Sequence, residues 1–269
     1  MRAIILAAGR GLRLQQPEDQ QLPKCLLRFG ATTLLERHLR LLSDAGVDEI
    51  VLALGFRHAL VEAELDRLDW QPRPEILFND RFDLGSVRTV HIAADAMTRG
   101  GEVLLMDADV LYDARILEAL VAGRQPVNRI LIDRDFEPGE EPVKVCVRDG
   151  APIELRKQIA ADLQYDTIGE SVGFFRFEEA GARRLASLVA DYVERGESRM
   201  PHEEAVRDLI REGSHRFEVT DITGAPWIEI DYAADVARAS REILPNLEPA
   251  CGHGAYASGS APLPQAVKL

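Results

Sequence analysis

Residues 3–14 read Ala3-Ile4-Ile5-Leu6-Ala7-Ala8-Gly9-Arg10-Gly11-Leu12-Arg13-Leu14, and Pro23-Lys24 follows a short loop later. The apolar start has the composition of a strand buried on both faces, and it runs directly into a glycine-containing turn that carries two arginines. Glycine lets backbone N–H groups approach phosphate oxygens without a Cβ in the way, while Arg13 and Lys24 bring the positive charge that a departing pyrophosphate requires. The stretch reads as a polyphosphate-binding turn, with Leu6, Ala7, Ala8, Gly9, Arg10 and Gly11 lying against the phosphates. Spacing excludes two other phosphate loops: the third glycine of the dinucleotide fingerprint is missing, and no Gly-Lys-Ser/Thr follows.

Outward from this strand, apolar runs and helical-period segments alternate. Strands are predicted over 3–6, 49–54, 75–78 and 102–106, and helices over 34–45, 58–67, 86–97 and 114–122. This is the rhythm of βα units on a parallel sheet. Beyond residue 125 the runs 128–133, 143–148, 153–157 and 171–177 predict successive strands, with Arg148-Asp149-Gly150 as a hairpin turn. Helices over 178–195 and 202–212, short strands over 217–219 and 228–230, and a helix over 233–243 complete the pattern. The expected fold is α/β, a Rossmann-like, mostly parallel mixed sheet flanked by helices, in one domain over 1–244. A Pro/Gly/Ala-rich tail over 245–269 reads as a mobile or partner-packed extension.

With a net charge of −13 over 269 residues, a nucleic-acid backbone is not an expected partner, and any phosphate site must be a local basic pocket. No apolar run matches a signal peptide or a membrane span, so a soluble cytoplasmic protein is expected. Cys25, Cys146 and Cys251 have spacings unlike a zinc site or disulfide framework and read as reduced thiols.

The run strand-Ala-Ala-Gly-x-Gly-x-Arg with a later Pro-Lys resembles the signature of the nucleotidyltransferases that make NDP-sugars and CDP-alcohols. That resemblance implies the nucleotidyltransferase fold and an Mg²⁺ cofactor. In Leu104-Leu105-Met106-Asp107-Ala108-Asp109-Val110, Asp109 occupies the slot of the family's metal-binding aspartate. Asp107 is the less favoured alternative, on the same side as Asp109 if the strand stays extended. Trp227-Ile228-Glu229-Ile230-Asp231 resembles the family's terminal strand, whose aspartate, here Asp231, completes the metal site. Taken singly, each of these acids also fits a helix cap.

The segment 78–86 resembles the family's base-reading loop in the form found in phosphocholine cytidylyltransferases, which assigns Asn79, Gly85 and Ser86 to the nucleotide; Ser86 equally fits an ordinary helix start. On the acceptor side the resemblance points to Lys157, then Lys144, as grips for a phosphate, although edge-strand lysines are commonly solvated. Glu170 is placed in the acceptor pocket. Glu203 matches an acidic helix start that faces the trimethylammonium group, with Trp227 or Tyr232 as an aromatic wall; Glu203 and Glu204 also complement the dipole of their own helix.

Together these residues imply a cytidylyltransferase that joins CTP, or another NTP, to a small phosphorylated alcohol or phosphonate and releases pyrophosphate. Arg13 and Lys24 are its catalytic cations. A homodimer is compatible with this reading. A sugar-1-phosphate or inositol-phosphate nucleotidyltransferase is the nearest alternative, and a catalytically silent nucleotide-binding regulator the more distant one.

Overall fold

The computed structural model describes residues 1–14, 21–47 and 49–247. β1 (Arg2–Ala7) leads through the glycine turn and the 3-10 turn Lys24–Leu26 to a small hairpin, β2 (Arg28–Phe29) and β3 (Thr32–Thr33). α1 (Leu34–Asp44) begins where the Thr33 hydroxyl accepts a hydrogen bond from the Glu36 N–H at 3.1 Å. Then follow β4 (Glu49–Leu54), α2 (His58–Leu68), β5 (Glu75–Phe78), α3 (Ser86–Ile92), α4 (Ala94–Thr98), β6 (Val103–Asp107), β7 (Val110–Tyr112) and α5 (Ala114–Val121). The second half runs β8 (Asn128–Asp133), β9 (Lys144–Arg148), β10 (Ala151–Arg156), β11 (Thr167–Phe177), α6 (Glu179–Glu194), α7 (His202–Glu212), β12 (Phe217–Asp221), β13 (Trp227–Glu229) and α8 (Ala233–Arg238).

The main sheet has the order β10-β9-β11-β6-β1-β4-β5, with β1, β4, β5 and β6 parallel and β11 antiparallel to β6. β8 pairs β11 and, in parallel, β12. Strand alternation divides the core between two faces. Ala3, Ile5, Leu52, Leu104 and Met106 join α1, α2 and α5 on one face, whereas Ile4, Val51, Val103, Leu105 and Phe175 join α3, α4, α6 and α7 on the other. Ile4, Ile5, Leu39, Leu52 and Leu105 are fully buried, each stabilising the fold by about 1.5–3 kcal/mol.

The expected fold class and most elements are present, and three differences bear on the site. The helix expected over 86–97 breaks at Ala93 into α3 and α4. β11 starts at Thr167 rather than 171 and carries a bulge between Ser171 and Phe175. The unanticipated β7 pairs antiparallel with β13, placing Glu229 opposite Val110, and the Ile230 N–H donates to the Asp109 carbonyl at 2.9 Å. Leu247 of the proposed tail, like Leu244 at the end of the domain, packs against a third apolar cluster that includes Leu14, Leu27, Phe29 and Ile230. The rest of the tail, with Cys251, lies outside the described residues. Cys25 and Cys146 are buried free thiols, and among the described residues no helix is long and apolar enough to cross a membrane.

Candidate active site

The parallel strands deliver their C-terminal ends to one edge, where open α/β sheets bind ligands. Gly9, Arg10 and Gly11 follow β1 there and line a cavity of about 380 Å³ with Arg13 and Lys24. Gly11 has φ +62°, and a Cβ on it would come within 3.0 Å of Lys24 Cγ. Glycine at this position therefore serves both the turn and the lysine, whose stem lies across it.

A second cavity, of about 320 Å³, adjoins the first; Arg13 and Asp109 line both. Its wall includes Gly85, Ser86, Lys157, Gly173, Glu203 and Glu229. Gly85 is packed so closely that a Cβ would lie 2.3 Å from the Met200 carbonyl oxygen, and its N–H donates to Ser198 at 2.9 Å. The Ser86 hydroxyl accepts from the His202 N–H at 2.8 Å. The loop before α3 is thus clipped to the start of α7, which fixes the direction of this wall.

Where the cavities meet, the Lys24 ammonium donates to Asp109 Oδ2 at 2.8 Å and to Asp231 Oδ1 at 2.7 Å. Burial opposes its charge, but Asp109 and Asp231 outweigh that and hold the ammonium above the usual lysine range. Arg13 reaches Asp231 at 3.0 Å and Glu141 at 2.9 Å, and its guanidinium lies 5.4 Å from the centre of the Tyr232 ring. Glu141 also accepts from Lys157 at 3.0 Å and from the Tyr232 hydroxyl at 3.3 Å.

Carboxylate oxygens of Asp109, Glu229 and Asp231 all lie within 4.8 Å of one another. Glu229 is itself exposed, and the neighbouring charges of Asp109 and Asp231 push its carboxyl upward; so crowded a set of anions favours a bound cation. Glu229 is absent from the sequence-derived site. The signal was available, since it lies two residues from Asp231 on one face of the late strand. Asp107 does not join the three acids. The chain turns at Ala108, whose N–H donates to Leu6 O at 3.3 Å, so the extended run assumed for Asp107 and Asp109 ends at Asp107. Asp107 instead faces Gly173, where a Cβ would sit 2.4 Å from Asp107 Oδ2, and burial, then Asp109 and Glu203, push its carboxyl upward.

The other sequence-derived residues divide between cavity walls and their supports. Leu6 lines both cavities, Ala7 the first and Ala8 the second. Asn79 is buried and off the wall, its amide donating to Thr89 Oγ1 at 3.0 Å and its carbonyl accepting from the Arg81 N–H at 3.0 Å, which shapes the loop from behind. Lys144 is also off the wall: its ammonium donates to the carbonyls of Gly139 at 2.8 Å and Lys157 at 2.7 Å. Glu170 faces Asp133 and Lys144, and burial with Asp133 raises its carboxyl to about 7. Trp227 donates from Nε1 to Asp133 Oδ2 at 2.8 Å and packs against the core; the aromatic beside Arg13 is Tyr232. Glu203 is on the wall, its Oε2 lying 3.2 Å from His202 Nδ1, which also lies 3.0 Å from Ser86 Oγ. The neighbouring Glu204 is held by Arg156 through two contacts of 2.8 Å.

The chain is similar in sequence and fold to known proteins. The chain is 26% identical over 255 residues to the CMP-5'-(3-aminopropyl)phosphonate synthase of Streptomyces rubellomurinus, covering 92% of this chain and 40% of that protein's length. It is 26% identical over 207 residues to the CTP:phosphoglutamine cytidylyltransferase of Campylobacter jejuni, covering 71% of this chain and 78% of that one. The solved inositol-1-phosphate CTP transferase of T. maritima shares the fold with a TM-score of 0.73 at 21% identity, covering 91% of this chain and 95% of that one. Residues 3–171, from the first strand through the long antiparallel strand, match the MobA-like NTP transferase domain, and the chain belongs to that family of nucleotidyltransferases.

Proposed function

We propose that this nucleotidyltransferase joins CTP to a small phosphate or phosphonate monoester bearing an amine or quaternary ammonium, and releases pyrophosphate. The observation that carries the reading is that Arg13 and Asp109 line both of two adjoining cavities, with Lys24 and Asp231 paired to them. One is a glycine turn with cations, suited to a triphosphate. The other offers a lysine at one side and the carboxylate of Glu203, beside His202, at another, suited to an acceptor with an anionic and a cationic end. Two relatives support the nucleotide and acceptor class, one named for a CMP-linked aminopropylphosphonate and one for CTP and phosphoglutamine.

In this reading an acceptor phosphate oxygen forms a bond to the α-phosphorus of CTP while the bond from that phosphorus to the bridging β-oxygen breaks. The acceptor oxygen is ionised near neutral pH, so positioning and charge neutralisation are the tasks left to the protein. Arg13 and Lys24 stabilise charge building on the leaving pyrophosphate, Lys157 orients the acceptor phosphate, and Gly85 and Ser86 shape the wall of the second cavity opposite it. Asp109, Glu229 and Asp231 fit a divalent ion, which we take to be Mg²⁺. Such an ion would neutralise charge on the reacting phosphate oxygens.

Pyrophosphate release measured with each NTP against phosphocholine, phosphoethanolamine, aminoethylphosphonate, inositol phosphate and glucose 1-phosphate tests the proposal. CTP with one of the amine-bearing acceptors should be fastest. Preference for glucose 1-phosphate or inositol phosphate would replace it with the sugar or inositol reading, and no release with any pair would favour a silent regulator.

A further inference from the structure

The ammonium of Lys24 and a divalent cation have a claim on the same carboxylates. Lys24 Nζ lies 2.8 Å from Asp109 and 2.7 Å from Asp231, two of the three acids that fit a metal. All three side chains of this ion-pair set are poorly exposed, at 14% for Lys24, 20% for Asp109 and 15% for Asp231. Even through the far oxygens of these carboxylates, a divalent ion would sit within a few ångströms of the ammonium, with little water between them to screen the repulsion. Either the ammonium or the ion satisfies the pair well, but not both.

Lys24 also has somewhere to go. Its stem lies on the glycine turn, with Cγ and Cε 3.0 Å and 3.3 Å from where a Gly11 Cβ would be. The same side chain lines the cavity of Gly9, Arg10, Gly11 and Arg13. A polyphosphate held there offers the ammonium a second set of anionic oxygens, reached by rotation of the flexible stem while the backbone stays in place.

We propose that Lys24 is a latch: its ammonium is the resident counter-ion of Asp109 and Asp231, and tight divalent-metal binding is conditional on a polyphosphate drawing that ammonium away. The inference rests on the reading of the glycine-turn cavity as the triphosphate site. It goes beyond that reading by linking the two ligands: nucleotide and metal reinforce each other's binding through one side chain, and by linkage the effect is reciprocal.

Direct titration with Mn²⁺, followed by the loss of the free-ion electron paramagnetic resonance signal, tests the latch without any turnover. Nucleotide-free wild type should bind Mn²⁺ weakly. Lys24→Met and Lys24→Gln, which remove the charge, should bind it roughly 10-fold or more tightly, within the usual range of coupling between sites. Lys24→Arg, which keeps the charge, should resemble wild type. Saturating CTP should narrow the gap between wild type and Lys24→Gln. Thermal melts establish that each variant is folded, and the glutamine keeps a hydrogen-bond donor for the two aspartates should methionine fail to fold. Equal Mn²⁺ affinity in wild type and both neutral variants, no Mn²⁺ binding by any of them, or a gap that CTP leaves unchanged would overturn the latch. Failure of the CTP and acceptor panel would instead overturn the proposed reaction and leave the metal titration standing.

Discussion

The two halves of the sheet build their shares of the site by different means. In the parallel half, site residues sit where a strand has just ended: Gly9, Arg10 and Gly11 follow β1, and Asp109 lies two residues beyond β6. In the antiparallel half they arrive from scattered places, with Glu141 on a loop, Lys157 after β10, Gly173 in the β11 bulge and Glu203 on α7. In the proposed reaction the parallel half provides the phosphate chemistry from local geometry, since every βα unit ends at the same sheet edge. On the same proposal the antiparallel half provides acceptor selectivity from long-range pairing. Asp231 crosses this division, because the β7–β13 ladder carries it back to Asp109.

That crossing gives the largest expected effect. Asp109→Ala and Asp231→Ala should each lower turnover on the order of 10³-fold or more, as expected when several kcal/mol of charge stabilisation is lost. Steady-state rates at limiting Mg²⁺ check this, with circular dichroism to confirm the fold. Near-normal turnover in Asp231→Ala alone would confine the catalytic charge to the parallel half and break the comparison.

Gly173 tests whether the antiparallel half contributes geometry as well as selectivity. Alanine at φ +77° costs about 1–2 kcal/mol in backbone strain, and its Cβ would press on the Asp107 carboxyl. Gly173→Ala should therefore lower the melting temperature and also reduce kcat, by up to about 10²-fold if Asp107 and its neighbours shift by an ångström. A melting-temperature change with kcat intact would mean that the bulge is needed only for stability.

The same contrast decides what could be read from the sequence. The βα rhythm and the glycine turn rest on periodicity and nearest-neighbour spacing, and the structure places both at the expected positions, with Asp109 in a turn after β6 rather than on an extended strand. Lys144 and Lys157 look alike in sequence, both lying at ends of strands. Only the packed loop distinguishes them, turning the Lys144 ammonium to carbonyls at 139 and 157 and leaving Lys157 on the cavity wall. Trp227 is the aromatic wall favoured by the sequence, with Tyr232 the alternative, but the bond to Asp133 holds the indole away from the cavity. Glu141 carries no local signal, because its meaning comes from Arg13, Lys157 and Tyr232 converging on it. β7 has three residues, too few for a period to show.

A smaller effect is expected at Glu203. Its carboxylate lines the cavity beside His202 and suits a cationic group on the acceptor, and a charge-assisted hydrogen bond is worth about 1.5–3 kcal/mol. Glu203→Gln should raise the KM for phosphocholine or aminoethylphosphonate roughly 10-fold and leave the KM for CTP nearly unchanged. A rise confined to CTP would move Glu203 to the nucleotide side and sharpen the boundary between the two halves.

The smallest effect lies behind the acceptor wall, at Glu170. Burial, Asp133 and Glu137 favour its neutral form, and Lys144 and Arg238 only partly oppose them, so its carboxyl is raised to about 7. An unfolded glutamate titrates near pH 4.3, so the native state binds the proton more tightly than the unfolded chain. The stabilising contribution of that proton is fully present below about pH 4.3 and is lost as pH rises through about 7. Above that window wild type carries a poorly solvated anion beside Asp133, whereas Glu170→Gln carries a neutral amide of similar shape. Melting curves should consequently show Glu170→Gln more stable than wild type by a few degrees at pH 8, with the difference closing toward pH 5. Because Glu170 is off the cavity wall, KM for the acceptor should change little. A large KM change with no pH-dependent gain in stability would show instead that this glutamate takes part in the acceptor pocket, and that the antiparallel half reaches deeper into substrate selection than its walls indicate.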